Sequence, residues 1–358
     1  MTAADPHPAL ATGFTAKFGV RHPIVQTGMG YVSSPPLVAA TAEAGGLGVL
    51  ASATMTYDEL VAAIAAVKKA TDRPFAVNLR ADAPDAAERI DLMGREGVKA
   101  ASFAQAPRKD LIKRAHDLGL LVVPSIGAKR HAQKVAEWGV DGVVVQGGEG
   151  GGHTGSVPTT LLLPQVTDVL RGSGVTVIAA GGFFDGRGLV AALAYGADAI
   201  AMGTRFLLTS DSPVGRAVKD VYLAADVNGT VVSKEIDGVP HRVLATDFVR
   251  RLERRSAARY PRALANAWKF RKLSGTSLPD LIREGLATRK ARSLTWPQVL
   301  MAANTPVLLR AAMVDGRPEY GVMASGQAAG VIDDLPTCQE LIDGIVTQAS
   351  AILDGLKG

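Results

Sequence analysis

Short apolar runs recur through about the first 200 residues, roughly every 25 residues, and a helix-like stretch follows each of them. Most of these runs are continuously apolar, which is typical of strands whose two faces are both covered in a parallel sheet. The pattern predicts strands at 23–27, 47–51, 75–79, 100–104, 120–125, 142–146, 176–180 and 199–202.

The stretches between these runs predict helices, for example at 57–70 and 128–138. Glycine stands just before the next strand in several units, where a glycine C-cap ends a helix. These glycines are Gly97, Gly119, Gly139 and Gly196. Eight strand–helix units in series without a long gap favour a closed barrel over an open sheet. The predicted fold class is therefore α/β, a TIM (β/α)8 barrel.

The strand–helix rhythm stops after Phe206. Residues 209–239 are rich in turn signals, such as Asn228-Gly229 and Asp237-Gly238. Further helices are expected at 247–259, 278–286, 296–308 and 336–356. We predict a barrel at 1–208, an added C-terminal helical lobe at 209–320 that covers the substrate, and a segment at 321–358 that returns to the barrel.

Composition narrows the class of protein. The chain has 358 residues, of which 47% are hydrophobic and 20% charged, as in a large globular enzyme. No apolar run reaches the roughly 18 residues that span a bilayer, and the first residues do not resemble a secretory signal, so a cytoplasmic protein is expected. Cys338 is the single cysteine and is expected at the surface or in helix packing, not as a nucleophile.

Charge is unevenly distributed along the chain. The formal net charge is +5, but residues 241–292 hold fourteen Lys and Arg against four Asp and Glu. This basic segment is either a solvated helical surface, which could face an acidic patch in a homo-oligomer, or a site for the phosphates of a dinucleotide or of coenzyme A. Nucleic acid is not expected, because aromatic residues are sparse and no recognised binding motif occurs.

The unusual chemistry lies at the predicted carboxyl ends of the strands, where β/α barrels place their active sites. The turns at Gly181-Gly182 and Gly203-Thr204 follow the last two strands, which commonly cradle a phosphate, although such glycines can also serve tight turns alone. Asn78 and Gln146 end the third and sixth strands. Their amides suit the polar edge of a flavin ring, or act only as turn caps.

The loop at 147–155 is the sharpest signal, with six glycines in nine positions. His153 is its only titratable ring and is predicted to move a proton or to orient a substrate carbonyl. Glu149 lies four residues before His153, a spacing that could bind metal on a helix. Glycines prevent a helix here and no third ligand is apparent, so no metal site is predicted.

The run VVVQGGEGGGHTG, followed by IAAGGFFDGRGLVAALAYGADAIAMGTRFLLT, resembles the nitronate monooxygenase / 2-nitropropane dioxygenase-like flavoprotein family. The resemblance extends from about residue 23 to residue 209 and resumes at Ala324-Ser325-Gly326-Gln327. It implies non-covalent FMN in the barrel mouth, with NADH as donor or NAD as acceptor, and His153 as the catalytic residue. The predicted cofactor-binding residues are Gln26, Gly28, Asn78, Gln146, Gly151, Gly181, Gly182, Met202, Gly203, Thr204 and Gln327.

Two departures from the family pattern argue against nitroalkane oxidation. The first strand ends in QTGMG instead of an alanine-proline-methionine run, and GGEGGGH replaces a loop of the form Glu-Ala-Gly-Gly-His. The chain, including LASATMT, PSIGA and LMAANTP, is most similar to an actinobacterial branch of flavin oxidoreductases of steroid (cholesterol) catabolism. That resemblance implies a CoA thioester of an indanone ring remnant as substrate, which agrees with the basic segment.

Three functions therefore stay open from the sequence. The first is hydride exchange between FMN and a CoA-linked cyclic ketone or enone. The second is nitronate oxidation or NADH:quinone reduction. The third is a flavin- or phosphate-binding barrel without turnover.

Overall fold

The computed structural model describes residues 6–254 and 304–356, and a closed barrel of eight parallel strands forms its centre. Each strand pairs with its neighbour along the chain, and the last strand pairs with the first, so no sheet edge stays open. The barrel strands are β1 (Ile24–Gln26), β2 (Leu47–Ala51), β3 (Phe75–Leu79), β4 (Ala100–Phe103), β5 (Leu121–Ile126), β6 (Gly142–Gln146), β8 (Thr176–Ala180) and β9 (Ala199–Met202). The short strand β7 (Gly152–His153) belongs to a second sheet, described below. The predicted barrel is confirmed, and the predicted strand ends are correct to within one residue.

Helices follow the strands and cover the barrel. They are α1 (Gly13–Phe18), α2 (Pro35–Glu43), α3 (Tyr57–Ala70), α4 (Ala86–Arg95), α5 (Lys109–Asp117), α6 (Lys129–Ala136), α7 (Thr159–Leu170), α8 (Gly186–Ala194) and α9 (Thr204–Leu207). The four glycines predicted to end helices have φ between 70° and 86°, a left-handed conformation that favours glycine. The C-cap prediction is therefore confirmed.

Alternating residues of the strands form two separate apolar layers. Those that point inward, such as Val25, Ala76 and Ile178, fill the barrel. Phe14 and Phe18 of α1 join this cluster, with ring centroids 4.6 Å apart, and close the amino end of the barrel. Those that point outward pack against the helices. The barrel is thus a filled core, and a ligand is expected at its carboxyl end, where β/α barrels place their active sites.

Helix α13 (Cys338–Gly355) returns to the barrel wall, where it packs against α8 and α2. Its first residue, Cys338, is fully buried, and burial raises the pKa of the thiol to about 12. Helix packing is therefore the correct one of the two predicted settings for Cys338, and the thiol is unsuited to act as a nucleophile.

The residues after the barrel form a lobe over its carboxyl end. Its described elements are α10 (Arg216–Leu223), β10 (Thr230–Ser233), β11 (His241–Leu244), α11 (Asp247–Arg254) and α12 (Asn304–Met313). A three-stranded sheet in the order β10-β11-β7, where β7 is Gly152–His153, joins the lobe to the glycine loop of the barrel. This sheet was not predicted, because its strands are short and one of them lies inside a glycine loop.

Several lobe predictions have a mixed outcome. Residues 209–239, expected to be turns, contain α10 and β10. The helix expected at 278–286 lies outside the described residues. The predicted domain limits at 209 and 321 stay predictions. Among the described helices, none combines the length and apolar character needed to cross a membrane.

Candidate active site

Four polar side chains point inward at the carboxyl ends of adjacent strands. Strand alternation places Asn78, Ser102, Ser125 and Gln146 on the same face as the apolar residues that fill the barrel below them. The Asn78 amide donates a hydrogen bond to Ser102 Oγ at 3.3 Å. The sequence analysis found the two amides and missed the two serines, whose only signal is this period of two.

Two residues predicted to bind the cofactor do not present their side chains to this mouth. Gln26 follows inward-pointing Val25, so its side chain points outward, where its amide donates to Ser33 Oγ at 2.8 Å and accepts from Val49 N–H at 3.3 Å. The Met202 side chain packs in the outer apolar layer. Gln26 and Met202 are almost fully buried, and their contact with a cofactor stays a prediction.

The Gln146 amide holds the glycine loop in place. It donates to the carbonyl oxygens of Gly151 at 3.3 Å and His153 at 3.0 Å. A Cβ on Gly150 would lie 2.6 Å from the same amide nitrogen, so that position requires glycine. The loop is therefore folded back over the strand that precedes it.

Glu149 caps a helix with its carboxylate. Its carboxylate accepts hydrogen bonds from Thr159 N–H at 3.1 Å and from Thr159 Oγ at 2.6 Å, at the start of α7. A carboxylate is favourable there, since the helix dipole is positive at its amino end.

A distant segment of the chain lies against the glycine loop. A Cβ on Gly151 would lie 2.5 Å from Gly326 N, and Gln327 N–H donates to Glu149 O at 3.0 Å. Gly326 N–H in turn donates to Thr204 Oγ at 2.9 Å. The structure thus brings Gly151, Thr204 and Gln327 together, as the sequence analysis expected from their shared assignment.

The two glycine turns lie side by side after β8 and β9. Gly181 and Gly182 have φ of 100° and 82°, and Gly182 is exposed. The main-chain N–H groups of Gly182 and Gly203 donate to no acceptor among the described residues. Gly28, at the neighbouring end of β1, lies so close to Asn78 that an added Cβ would come within 2.5 Å of its side chain. The turns therefore offer free donors at an open surface.

His153 lies in the glycine loop after β6 and has a buried carboxylate as its partner. Strand β7 pairs antiparallel with β11, which sets His153 directly opposite His241. His153 Nε2 lies 2.6 Å from Asp237 Oδ2. The His153 side chain is 53% exposed, whereas that of Asp237 is 4% exposed.

Asp237 is an anion held by histidines. Burial alone would raise its pKa, but hydrogen bonds from His153 and His241 outweigh burial and hold the pKa well below its ordinary value. Burial lowers the pKa of His241, whose Nδ1 lies 3.4 Å from Asp237 Oδ2. Neither residue is predicted to belong to the site, because in the sequence Asp237 is part of a turn signal and His241 stands at the edge of the basic segment.

His153, Asp237 and His241 are also chemically able to hold a metal ion, since their donor atoms lie within 4.8 Å of one another. The prediction of no metal rested on Glu149 and His153 and did not consider this group. The Asp237 contacts are those of a hydrogen-bond network, with one oxygen shared by both rings.

A cleft of about 370 Å³ opens beside His153, above the ends of β4, β5 and β6. Its walls include Ser125, Gln146, Thr154 and Pro240. A larger cleft of about 470 Å³ lies at the other end of the barrel, beside Asp198 at the start of β9. The smaller cleft is the better candidate, because it alone adjoins the polar groups at the carboxyl ends of the strands.

The sequence is similar to known proteins over nearly its whole length. The family model for nitronate monooxygenase matches residues 12–348. A protein of Mycobacterium tuberculosis named (3aS,4S,5R,7aS)-5-hydroxy-7a-methyl-1-oxo-octahydro-1H-indene-4-carboxyl-CoA dehydrogenase is 62% identical over 95% of this chain and 96% of its own length. A protein of the same name from Rhodococcus jostii is 57% identical over 97% of this chain and 98% of its own length.

Solved structures give the same fold. FabK from Thermotoga maritima superposes with a TM-score of 0.79 and 31% identity, over 97% of this chain and 98% of that one. Nitroalkane oxidase from Streptomyces ansochromogenes has a TM-score of 0.72 and 25% identity, over 96% of this chain and all of that one.

Proposed function

This chain belongs to the nitronate monooxygenase family of flavin-dependent oxidoreductases, and we propose that it exchanges a hydride between FMN and a CoA-linked bicyclic ketone of steroid degradation. The observation that carries the proposal is the placement of His153. Its imidazole lines a cleft above the ends of β4, β5 and β6, and the glycine loop that carries it lies directly beside the glycine turn after β8. The substrate class is proposed from the two relatives with 62% and 57% identity.

The barrel mouth fits a flavin. The free N–H groups of Gly182 and Gly203 suit a terminal phosphate, because such donors at an exposed turn bind an anion without cost to other contacts. The inward-pointing Asn78 amide suits the polar edge of the ring. When bound, a flavin accepts or delivers a hydride. The remaining steps fall to the side chains at the cleft.

His153 handles the proton in this proposal. Removal of a hydride from a ring carbon requires loss of a proton from its neighbour, and an acidic proton lies next to a ketone or thioester carbonyl. When the substrate is oxidised, His153 accepts this proton. When the substrate is reduced, His153 donates the proton back to the same carbon. Ser125, which lines the cleft, supplies a hydroxyl group that can donate to the substrate carbonyl.

The coenzyme A portion requires a cationic surface. Within the described part of the lobe, Arg250, Arg251 and Arg254 lie exposed on α11. Their charge suits the phosphates of a CoA thioester, since arginine pairs well with phosphate oxygens. Most of the basic segment lies outside the described residues. The use of NADH or NAD, a cytoplasmic location and a homo-oligomeric state also stay predictions.

A nitronate or quinone substrate is the second candidate, and likeness to nitroalkane oxidase supports it. Substrate titration distinguishes the two. We expect the oxidised enzyme, kept without oxygen, to bleach on addition of the hydroxy-oxo-octahydroindene carboxyl-CoA thioester, because a hydride passes to the flavin. Absorbance of the flavin is the readout. Bleaching by NADH together with oxidation of a nitronate, and none by the thioester, would contradict the proposal.

The bound flavin is predicted to be FMN. The glycine turns offer free donors for one phosphate, and the residues after β8 lack the GxGxxG turn that commonly holds a pyrophosphate. Heat should release FMN, identified by mass spectrometry, in a ratio near one per chain. Release of FAD, or flavin that stays with the denatured protein, would refute this.

Gly182→Val should abolish flavin retention in a folded protein. A side chain at this exposed turn fills the proposed phosphate position and disturbs a backbone whose φ is 82°. Gly172→Val is the matched control, because Gly172 has φ of 76° and lies far from the mouth, after α7. Flavin absorbance per chain is the measurement. Equal flavin content in the two variants would show that Gly182 is not at the cofactor.

His153→Ala should retain flavin and lose turnover by about 10²–10⁴-fold, the usual effect of removing a positioned acid or base. His153→Asn should recover little of this rate, because an amide can hydrogen-bond but does not exchange a proton near neutral pH. Loss of flavin from His153→Ala would instead make the residue a cofactor ligand. Normal turnover would assign the proton to another group.

A further inference from the structure

Asp237 is positioned to act on His153 through one oxygen atom. It lies in the loop at 234–240 between β10 and β11, where its Oδ1 accepts from Val239 N–H at 3.3 Å. This contact turns Oδ2 toward three groups: His153 Nε2 at 2.6 Å, Thr305 Oγ at 2.8 Å and His241 Nδ1 at 3.4 Å. The carboxylate thus links the barrel loop, the lobe strand and α12.

The ionised carboxylate fixes the protons of its neighbours. It can only accept hydrogen bonds, so each of the three atoms that face Oδ2 must carry a hydrogen. His153 in its neutral form then has its proton on Nε2, which leaves Nδ1 as the basic nitrogen. Without this partner, the two neutral forms of an exposed imidazole would interconvert freely.

His241 restricts the same ring from the side. Its side chain is 3% exposed, and its ring centroid lies 4.6 Å from that of His153 at an interplanar angle of 49°. Nε2 of His241 has no hydrogen-bond partner among the described residues. A ring so deeply buried does not reach the cleft, so its contribution to the chemistry must pass through Asp237 and His153.

We infer that Asp237 and His241 are positioning residues that hold His153 with its proton on Nε2 and its basic Nδ1 available to substrate. The inference deepens the proposed function, in which His153 takes and returns a proton. After His153 accepts a proton, the adjacent carboxylate stabilises the imidazolium. In the described chain, the titratable groups that face Asp237 are the two histidines; the nearby Arg242 guanidinium is turned onto Gly148 O at 2.9 Å.

The first test determines the tautomer of His153 in the absence of substrate. The flavin-loaded wild type is labelled with ¹⁵N-histidine, and His153→Ala identifies which of the six histidine signals belongs to His153. We expect the proton on Nε2 and a bare Nδ1. A proton on Nδ1 would overturn the inference. So would stoichiometric zinc in the purified protein that is lost in His241→Leu, because a metal would occupy the atoms that this network uses.

The second test is kinetic. Asp237→Asn can turn its amide toward Nε2 and move the ring proton to Nδ1, so kcat should fall by about 10²–10⁴-fold while flavin content and KM change little. His241→Leu should lower kcat, and His241→Asn, whose amide replaces the Nδ1 donor, should restore much of it. Asp117→Asn is the control, since Asp117 is an exposed aspartate at the end of α5 and lies outside the site.

The outcomes separate the two proposals. An unchanged kcat in Asp237→Asn, or no recovery in His241→Asn relative to His241→Leu, would overturn the positioning role. If the CoA thioester fails as a substrate, the proposed function fails, but the tautomer measurement still decides the state of His153. Should Asp237→Asn not fold, the spectrum of the wild type and the pair of His241 variants still decide the inference.

Discussion

The pairing of two short strands, β7 and β11, is the contact on which the site depends. It joins the glycine loop of the barrel to the lobe, with His153 opposite His241 and Gly152 opposite Arg242. The Arg242 guanidinium donates to Gly148 O, which adds a second tie between lobe and loop. Because backbone hydrogen bonds fix the register of such a pair, a slip of one residue would turn His153 to the opposite face.

The glycine loop keeps the position that this pairing requires, because the few side chains in and beside the loop form hydrogen bonds that stabilise it. The Gln146 amide donates to the carbonyl oxygens of Gly151 and His153, and the Glu149 carboxylate accepts from the Thr159 hydroxyl at the start of α7. Buried main-chain groups must find partners, and a loop without side chains has few of its own. The glycines therefore do more than permit a close approach of ligand: at Gly150 and Gly151 they make room for Gln146 and for the chain at Gly326.

Much of the barrel could be predicted from the sequence, since continuous apolar runs and glycine caps are local signals. The site could be predicted only in part. Asn78 and Gln146 lie in phase with the inward-facing residues, whereas Gln26 lies one position out of phase and is turned into the wall. The position of a polar residue relative to the inward-facing residues of its strand therefore distinguishes Asn78 and Gln146 from Gln26.

The missed residues have a different cause. Asp237 and His241 lie more than 80 residues after His153, and only the pairing of two-residue and four-residue strands brings them to it. Short strands leave almost no periodic signal, because two residues cannot show alternation over several positions. The Asp237-Gly238 pair lies in a turn, as the sequence predicts. The sequence does not show, however, whether a residue in a turn also contacts a functional side chain.

The contrast in exposure between His153 and Asp237 gives the site its electrostatic character. The imidazole lines the cleft, and half of its side chain is exposed; the carboxylate is closed to water, so its charge is weakly screened and acts strongly on its neighbour. An ionised carboxylate is costly to bury unless donors surround it. Asp237 has Val239 N–H, Thr305 and two histidines, of which all but His153 belong to the lobe. The lobe must therefore be folded onto the barrel before His153 has its ionised partner, so the proton transfer proposed for His153 depends on contacts that the lobe supplies.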